Sequence, residues 1–408
     1  MNRILRILIM ILYLSCGVKA QERTDTVFPA DHPGGEDLTV SIVTCAPGPD
    51  VYELCGHAAI RIRSAEMDSV WNYGIFDFTS PNFIYRFCKG ETDYMVYGYQ
   101  FERFMPAYIR RGSTVKEQVL DLTQEEARQL RALLQTESLP ENRIYRYNYV
   151  RDNCATRPWK RVREAAGRDI HLPDTLYYPT FRSEMRHFHR NYPWYQFGID
   201  LVLGSGLDYP LDKDEDTFAP PVLADKLAAA TIGGRSLVKA TNIIFPGYVD
   251  ATLPPTPWWR TPMAVGIAML LLSLGTLFAY LLRKRLWRWW ISLYFLTAGV
   301  AGCIVAFLVF CSEHEATSPN ILLLWLNPLQ LVIAAGIWWK SWKMPVAVIA
   351  AYDAAMAVGL VLLWWTPLVS QAANPAIWPM LLCIIPLTLT IFLSSSHHNL
   401  TTQQPTTK

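Results

Sequence analysis

Residues 263–282 read MAVGIAMLLLSLGTLFAYLL, a run of twenty residues without a charged side chain. A helix of about 20 apolar residues is long enough to cross the hydrocarbon core of a bilayer. Four further apolar runs follow, at roughly 288–311, 321–339, 345–366 and 376–394. The sequence therefore predicts an all-α bundle of five transmembrane helices over residues 263–394, followed by a polar tail at 395–408.

The basic residues between the apolar runs predict the orientation of this bundle. Lys and Arg cluster at 283–288, between the first and second runs, and at 340–343, between the third and fourth. Loops rich in Lys and Arg stay on the cytoplasmic side of a membrane. Both loops are therefore expected in the cytoplasm together with the tail, and the chain before residue 263 is expected on the outer face.

The N-terminus has the pattern of a secretory signal. Arg3 and Arg6 precede the apolar run 7–14, and small residues end the segment at the cleavage position. A lipoprotein signal at Cys16 is the alternative, but the residues before it lack the leucine that such signals carry. We expect residues 1–20 to be a cleaved signal peptide and the chain that follows it to be exported.

Charged residues are concentrated between these two apolar parts of the chain. Of the 37 basic and 35 acidic residues, only ten lie beyond residue 262. Residues 21–262 are slightly acidic overall, whereas nucleic-acid-binding domains concentrate basic residues on one face. We therefore expect no nucleic-acid partner, and we interpret residues 21–262 as one periplasmic domain attached to a membrane.

This polar block combines strand and helix patterns. Thr123 and Glu126 have the spacing of a capping box, which predicts the start of a helix. Alternating or β-branched apolar runs predict strands at 38–45, 57–63, 69–74, 92–97 and 115–122. Further helices are predicted at 81–88, 101–111, 155–166, 180–204 and 220–232. The block is therefore expected to be α+β.

Cys154 has the surroundings of a reactive cysteine. It stands at the start of a predicted helix, where backbone N–H groups and the positive end of the helix dipole favour a thiolate and can hold an oxyanion. His57 begins a predicted strand, and a histidine strand packed on a cysteine helix allows the imidazole to accept the thiol proton. The structural alternatives are a buried core cysteine and a histidine at a strand edge.

Five short motifs occur in an order that resembles a known family. GHAAIR at 56–61 followed by NCAT at 153–156 is similar to the circularly permuted branch of NlpC-type papain-like thiol enzymes, which includes lecithin:retinol acyltransferase. Together with TCAPG at 44–48, NYG at 72–74 and LLLWLNP at 322–328, these motifs resemble the Lnb family of bacterial lipoprotein N-acyltransferases. The resemblance extends over nearly the whole mature chain.

This resemblance implies a permuted papain-like (NlpC-type) periplasmic domain with Cys154 as nucleophile and His57 as base. It implies that the protein lies in a bacterial inner membrane. It implies a phospholipid as acyl donor and the α-amine of a diacylglyceryl-cysteine lipoprotein as acceptor. Papain-like sites usually contain a third polar residue that orients the histidine. Asn72 lies on the next predicted strand and is expected to reach the distal ring nitrogen of His57.

Four further residues are predicted to contact the substrate. Arg61 shares the face of His57 if side chains alternate along the strand, and is expected at a phosphate. Asn153 has helix capping as its structural alternative. His314 and Asn320 lie on a predicted outward loop and are expected to complete the lipid-facing side of the site, with a solvated loop as the alternative.

The sequence predicts no cofactor and no metal. His187 and His189 are two residues apart, so they diverge on a helix, and the acidic run 212–216 lacks the Gly and the terminal Glu of a calcium loop. Asp353 lies inside the fourth predicted span, where an ionisable group is expected to have a partner or a function. Whether Cys45 and Cys55 form a disulfide stays open.

Three functions are compatible with these patterns. The first is a membrane acyltransferase that moves a fatty acyl chain through a Cys154 thioester. The second is a membrane-anchored thiol hydrolase, either a peptidase or amidase or a lipid esterase. The third is a scaffold without catalytic activity. A membrane bundle favours lipid substrates, so the sequence favours the acyltransferase.

Overall fold

The computed structural model describes residues 37–76, 81–248 and 255–402, so the predicted signal peptide and the end of the polar tail lie outside the described residues. Two compact units are present. The first unit ends at Tyr178 and resumes at Leu211. The second contains Pro179–Pro210 and the described chain from residue 255 onward.

The first unit is built on an antiparallel sheet. Its strands are β1 (Thr39–Cys45), β2 (His57–Arg63), β3 (Asp68–Ile75), β4 (Asp93–Gln100), β5 (Val115–Leu120), β6 (Ile144–Arg146) and β10 (Val238–Phe245). They are ordered β10-β5-β1-β2-β3-β4-β6. A smaller sheet contains β7 (Ile170–His171), β8 (Thr231–Ile232) and β9 (Arg235–Ser236). The five predicted strands are confirmed within a few residues. The edge strands β6 and β10 were not predicted, because β6 is only three residues long and β10 is mostly exposed.

The helices are distributed between the two units. Those of the first unit are α1 (Phe83–Lys89), α2 (Phe101–Arg111), α3 (Gln124–Glu137), α4 (Thr156–Ala166) and α7 (Pro220–Ala229). Those of the second are α5 (Phe181–Phe188), α6 (Pro193–Val202), α8 (Pro262–Arg283), α9 (Arg288–Phe310), α10 (Gln330–Gly336), α11 (Lys343–Trp364), α12 (Ile377–Leu382) and α13 (Ile384–Thr402). An α+β unit followed by a helical unit is the predicted fold class.

Both faces of the large sheet are covered by helices. Strand alternation turns Ala58 and Ile60 toward α3, α4 and α7, and turns Ala59 toward α2. The first face packs against Leu130, Trp159 and Leu223, and the second against Phe101, Phe104 and Tyr108. Each fully buried aliphatic or aromatic side chain contributes about 1.5–3 kcal/mol. The strand that begins with His57 is therefore held firmly between two cores.

Local signals in the sequence correctly located two helix ends that bear on the site. The predicted capping box is present, since Thr123 accepts from the N–H of Glu126 and Glu126 accepts from the N–H of Thr123. Helix α4 ends at Gly167, which has φ of 59°. Helices α3 and α4 pack against each other and against the same face of the sheet. This packing holds α4, and the loop before it, close to the strands.

The polar block 21–262 does not fold as one unit, because residues 179–210 belong with the membrane helices. Phe197 and Leu201 of α6 pack into the apolar core that contains Trp290 and Phe295 of α9. The N–H of Gly204 donates to the carbonyl of Ala316 at 2.8 Å. This apolar packing and this backbone hydrogen bond explain why the segment belongs to the second unit and not to the sheet domain.

A buried arginine holds this segment together. Arg182 is 1% exposed and donates to Asp200 and Asp208, each at 2.8 Å. The same guanidinium donates to the carbonyls of Leu203 and Gly204. Burying a guanidinium requires such compensation, because an unpaired charge in the interior costs several kcal/mol.

Within the described residues, four helical segments are long and apolar enough to span a membrane: Pro262–Arg283, Arg288–Phe310, Lys340–Trp364 and Ile377–Ser395. The predicted span 321–339 differs from the continuous helix that was expected. It consists of a 3₁₀ turn at Ile321–Leu324 and the short helix α10. The fifth span therefore stays a prediction.

The break in this segment lies at Asn327-Pro328. Proline lacks an N–H group and disfavours a helical conformation at the preceding residue. The freed backbone finds side-chain partners: Asn327 accepts from the N–H of Leu329, and Gln330 donates to the carbonyl of Trp325 at 2.6 Å. Non-helical backbone at membrane depth requires such internal partners.

The partner of Asp353 is found at the same break. The side-chain amide of Asn327 donates to one carboxyl oxygen of Asp353 at 2.9 Å. Asp353 is fully buried on α11. The expected intramembrane partner therefore comes from the interrupted segment, which the sequence could not indicate because the two residues are 26 positions apart.

We expect Arg182→Met to destabilise the protein by about 3–5 kcal/mol, because it removes the buried cation that pairs with Asp200 and Asp208. Asp200 keeps a second ion pair, with Arg186. Arg128→Met is the matched control, since Arg128 is exposed and its ion pair with Glu125 contributes about 0–1 kcal/mol. Thermal unfolding of the detergent-solubilised full chain measures both variants. Equal unfolding temperatures would contradict the assigned role of Arg182.

Candidate functional site

His57 is held at the first position of β2 by the turn that precedes it. Gly56 has φ of +78°, and a Cβ atom placed there would lie 2.6 Å from the carbonyl oxygen of Cys45. Only glycine fits this approach. The β1–β2 register pairs Cys45 with His57, so the turn places the imidazole at the end of the sheet.

Asn72 of β3 contacts the ring of His57. Its Oδ1 lies 2.5 Å from Nε2 of His57, and its Nδ2 donates to the hydroxyl of Tyr99 at 3.1 Å. The contact to Tyr99 turns the amide oxygen toward the imidazole. Nε2 therefore carries the ring proton, and Nδ1 is left as the acceptor. Asn72 thus lies where the sequence predicted it, at one ring nitrogen of His57.

The loop before α4 is held by Asn153. Its Oδ1 accepts from the N–H groups of Ala155 and Thr156, at 2.8 and 2.9 Å. Its Nδ2 donates to the carbonyls of Tyr149 and Phe218. Asn153 is 4% exposed and uses both ends of its amide inside the fold. The structure therefore supports helix capping for Asn153 in place of the predicted substrate contact.

Cys154 is a partly exposed residue whose thiol lies against the strand of His57. The backbone N–H of Ala58, the residue after His57, and the hydroxyl of Tyr147 hydrogen-bond the sulfur. Gly74, with φ of +88°, lies beside both residues: a Cβ atom there would make ordinary contacts, 3.5 Å from the Tyr147 ring and 3.7 Å from Cβ of Cys154. Cys154 and His57 are therefore neighbours at one end of the sheet.

Low polarity around the pair favours its neutral form. Burial lowers the pKa of His57 to about 4, and the charge of Arg111 lowers it further, whereas the Asn72 hydrogen bond raises it. Burial also raises the pKa of Cys154 to about 11, against the hydrogen bonds from Ala58, from its own N–H and from Tyr147. At neutral pH the resting couple is therefore thiol and neutral imidazole.

Arg61 lies on the predicted face of β2 but does not reach the site. Its guanidinium donates to Asp68 at 2.6 and 2.7 Å and to Glu117 at 3.0 Å. It also stacks on the ring of Phe101, 3.7 Å from the centroid. With 8% exposure and two carboxylate partners, Arg61 joins β2, β3 and β5. This arrangement argues against the predicted phosphate contact.

His314 and Asn320 belong to the second unit, so their predicted part in the site stays a prediction. Asn320 is buried; it donates to the carbonyl of Leu201 and accepts from Gln371 and from the N–H of Leu322. These bonds connect the segment before α10 with α6. Of the two other cysteines considered, Cys45 is buried and Cys55 is partly exposed, and both are free thiols.

Two tyrosines at the site were not identified from the sequence. Tyr147 touches the thiol of Cys154, and Tyr99 orients Asn72. The sequence signal that could have identified them was their position relative to known site residues. Tyr147 lies seven residues before Cys154, and Tyr99 lies on the strand next to that of Asn72. Among the described residues, no group of three or more His, Cys, Asp or Glu is arranged to hold a metal ion.

Comparison with protein families assigns both parts of the chain. Residues 34–185 match the family model described as the Lnb N-terminal periplasmic domain, and residues 255–399 match the Lnb transmembrane domain. The chain belongs to the Lnb family. Searches of curated proteins and of solved structures found no significant match. The Lnb assignment identifies a membrane protein with a periplasmic N-terminal domain, as predicted.

The neutral resting couple predicts how Cys154 reacts with iodoacetamide. Only the thiolate reacts, so alkylation is expected to be slow at pH 7 and to rise about tenfold per pH unit toward pH 10. Peptide mass spectrometry of the full chain follows the modified residue, and Cys154→Ser identifies signal from other cysteines. A rate that stays constant between pH 5 and pH 8 would instead indicate a thiolate–imidazolium pair.

Proposed function

We propose that this Lnb protein is a thiol acyltransferase that moves a fatty acyl chain from a glycerol ester lipid to the α-amine of a diacylglyceryl-cysteine lipoprotein. The observation that carries the proposal is the oriented imidazole of His57 on a strand whose next residue, Ala58, contacts the thiol of Cys154 at the start of α4. Membership of a membrane-bound family supports a lipid substrate. A phospholipid is the donor that we favour.

In the first half-reaction, Cys154 attacks the ester carbonyl. Nδ1 of His57 accepts the thiol proton as the C–S bond forms, because Nε2 is occupied by Asn72. The carbonyl oxygen becomes an oxyanion, for which the N–H of Cys154 and the hydroxyl of Tyr147 are nearby donors. The ester C–O bond then breaks, and His57 returns its proton to the leaving glycerol oxygen. The product is a Cys154 thioester.

In the second half-reaction, the α-amine of the acceptor attacks the thioester. Nδ1 of His57 takes one proton from the nitrogen, the C–S bond breaks, and the amide product leaves. The proton then returns to the sulfur. The two substrates therefore react in succession at one nucleophile, which is a ping-pong course.

Acyl transfer competes with hydrolysis for the same thioester. A neutral, poorly hydrated couple favours transfer, because water is kept from the intermediate while an amphiphilic amine can enter from the membrane. Charged groups close to the thiol would attract water, and the nearest contacts of the Cys154 sulfur are a tyrosine hydroxyl and backbone amides. These surroundings favour a transferase over a hydrolase.

Cys154→Ala and His57→Ala are expected to abolish N-acylation, because each removes one member of the couple. The assay is mass spectrometry of a lipoprotein N-terminus after incubation with the full-length protein in phospholipid vesicles. Transfer from phospholipid adds one acyl mass to the diacylated cysteine. Transfer from the acceptor's own glycerol ester leaves the total mass unchanged and moves one chain to nitrogen. A loss of acyl mass would instead show a hydrolase.

Two matched variants control this experiment. Cys303→Ala removes an exposed cysteine of α9, and His171→Ala removes an exposed histidine of β7. Both are expected to retain wild-type activity, since neither is among the residues that form the site. If the Cys154 variant kept its N-acylation activity, the proposed mechanism would be wrong whatever the donor.

Substitutions of Asn72 distinguish two effects on His57, the orientation of its ring and the charge beside it. Asn72→Ala is expected to slow thioester formation about tenfold or more at every pH, because the imidazole loses its orienting partner. Asn72→Asp is expected to raise the pKa of His57, since a carboxylate stabilises the imidazolium. Because the base must be neutral, activity is then lost at a higher pH on the acid side. Single-turnover pH profiles measure both effects, and identical acid limbs in wild type and Asn72→Asp would contradict the assigned contact.

A further inference from the structure

Helix α1 exposes an apolar surface on the first unit. Its sequence is FIYRFCK, and it contains no buried residue. Ile84, Tyr85 and Phe87 are 62%, 54% and 48% exposed. Clustered apolar side chains of this size usually mark a surface that meets a partner or a membrane.

A row of aromatic rings connects this surface to the nucleophile. Phe83 of α1 stacks on Phe76 with ring centroids 5.9 Å apart, and Phe76 lies 4.9 Å from Tyr94. Tyr94 stacks on Tyr147 at 4.2 Å. The hydroxyl of Tyr147 contacts the thiol of Cys154. An apolar path of four rings therefore begins at an exposed helix and ends at the reacting sulfur.

A small cavity lies beside the outer end of this row. Its volume is about 230 Å³, and it is lined by Phe83, Arg86, Thr92, Asp93, Tyr94, Met95 and Ile144. Ile144 extends the apolar surface, being 58% exposed. Arg86 and Asp93 form an ion pair at 3.2 Å on the rim. Apolar side chains beside an ion pair suit an amphiphile, with its chain against the apolar side chains and its polar group in water.

We propose that α1 contacts the outer surface of the bilayer and that the aromatic row binds the acyl chain of the lipid ester, which presents the ester carbonyl to Cys154. The proposal rests on the proposed acyltransferase function. A lipid is favoured over a protein partner because the described part of the chain contains four candidate spans, which keep the domain at a membrane. Tyrosine and phenylalanine are also suited to a membrane interface, where apolar rings meet polar groups.

The main test compares two activated esters that differ in chain length. A nitrophenyl ester of a sixteen-carbon acid is incorporated into phospholipid vesicles with the full-length protein, and the four-carbon ester is supplied in water. The double variant I84D/F87D is expected to form the Cys154 thioester about tenfold or more slowly from the long ester, because two apolar anchors are lost. Its rate with the short ester is expected to stay within about twofold of wild type.

Ile109→Asp is the matched control, because Ile109 is 43% exposed on α2 and is not among the residues that form the row or the cavity. It is expected to react with both esters as wild type does. Equal rates of the double variant and wild type with the long ester would overturn the proposal. Loss of both reactions would also overturn it, because α1 would then maintain the site instead of binding lipid.

The row itself is tested at Tyr94. Tyr94→Ala removes one ring of the row and is therefore expected to lower the ratio of long-ester to short-ester rates. Tyr94→Phe keeps the ring and is expected to keep the wild-type ratio. This ratio does not depend on the fraction of folded protein, so a destabilised variant remains informative. An unchanged ratio in Tyr94→Ala would exclude the row as the acyl path. Failure of wild type to form a thioester with either ester would instead refute the proposed function.

Discussion

The hydrogen bond between Asn72 and His57 is the interaction on which the site depends. It requires β2 and β3 to pair in one register, and it requires the turn at Gly56 to start β2 at the histidine. The amide oxygen holds the proton on Nε2 and leaves Nδ1 as the acceptor. A shift of one residue in either strand would turn these side chains to opposite faces of the sheet. The sheet and its two cores therefore determine the position and orientation of the His57 imidazole.

The cysteine reaches this imidazole through a separate set of contacts. Asn153 closes the start of α4, and Gly74 lies beside the cysteine and Tyr147. Burial keeps the resting couple neutral, and the charge of Arg111 also disfavours the imidazolium. A thiol held in this way is slow to react with water-soluble reagents. The same surroundings suit an amphiphilic substrate that supplies its own apolar environment.

The second unit shows how polar residues are accommodated where water is scarce. The break at Asn327-Pro328 places an amide against Asp353, and Arg182 is surrounded by two carboxylates and two carbonyls. Each group is buried with partners, as interior charges require. Other contacts, of Gly204 with Ala316 and of Leu201 with Asn320, connect residues 179–210 to the membrane unit, although their composition resembles that of the periplasmic block.

Local sequence patterns determined the five central strands, the capping box at Thr123 and the apolar lengths of the spans, because periodicity, capping and hydropathy act over a few residues. Short motifs also indicated His57, Asn72 and Cys154. Only the tertiary structure decided the partners of Arg61, the strand β10 at the sheet edge, the position of Tyr147 and the placement of residues 179–210. These features depend on contacts between residues far apart in the chain. A polar residue such as Arg61 binds either a substrate or a buried carboxylate, and the neighbours that folding brings to it decide which.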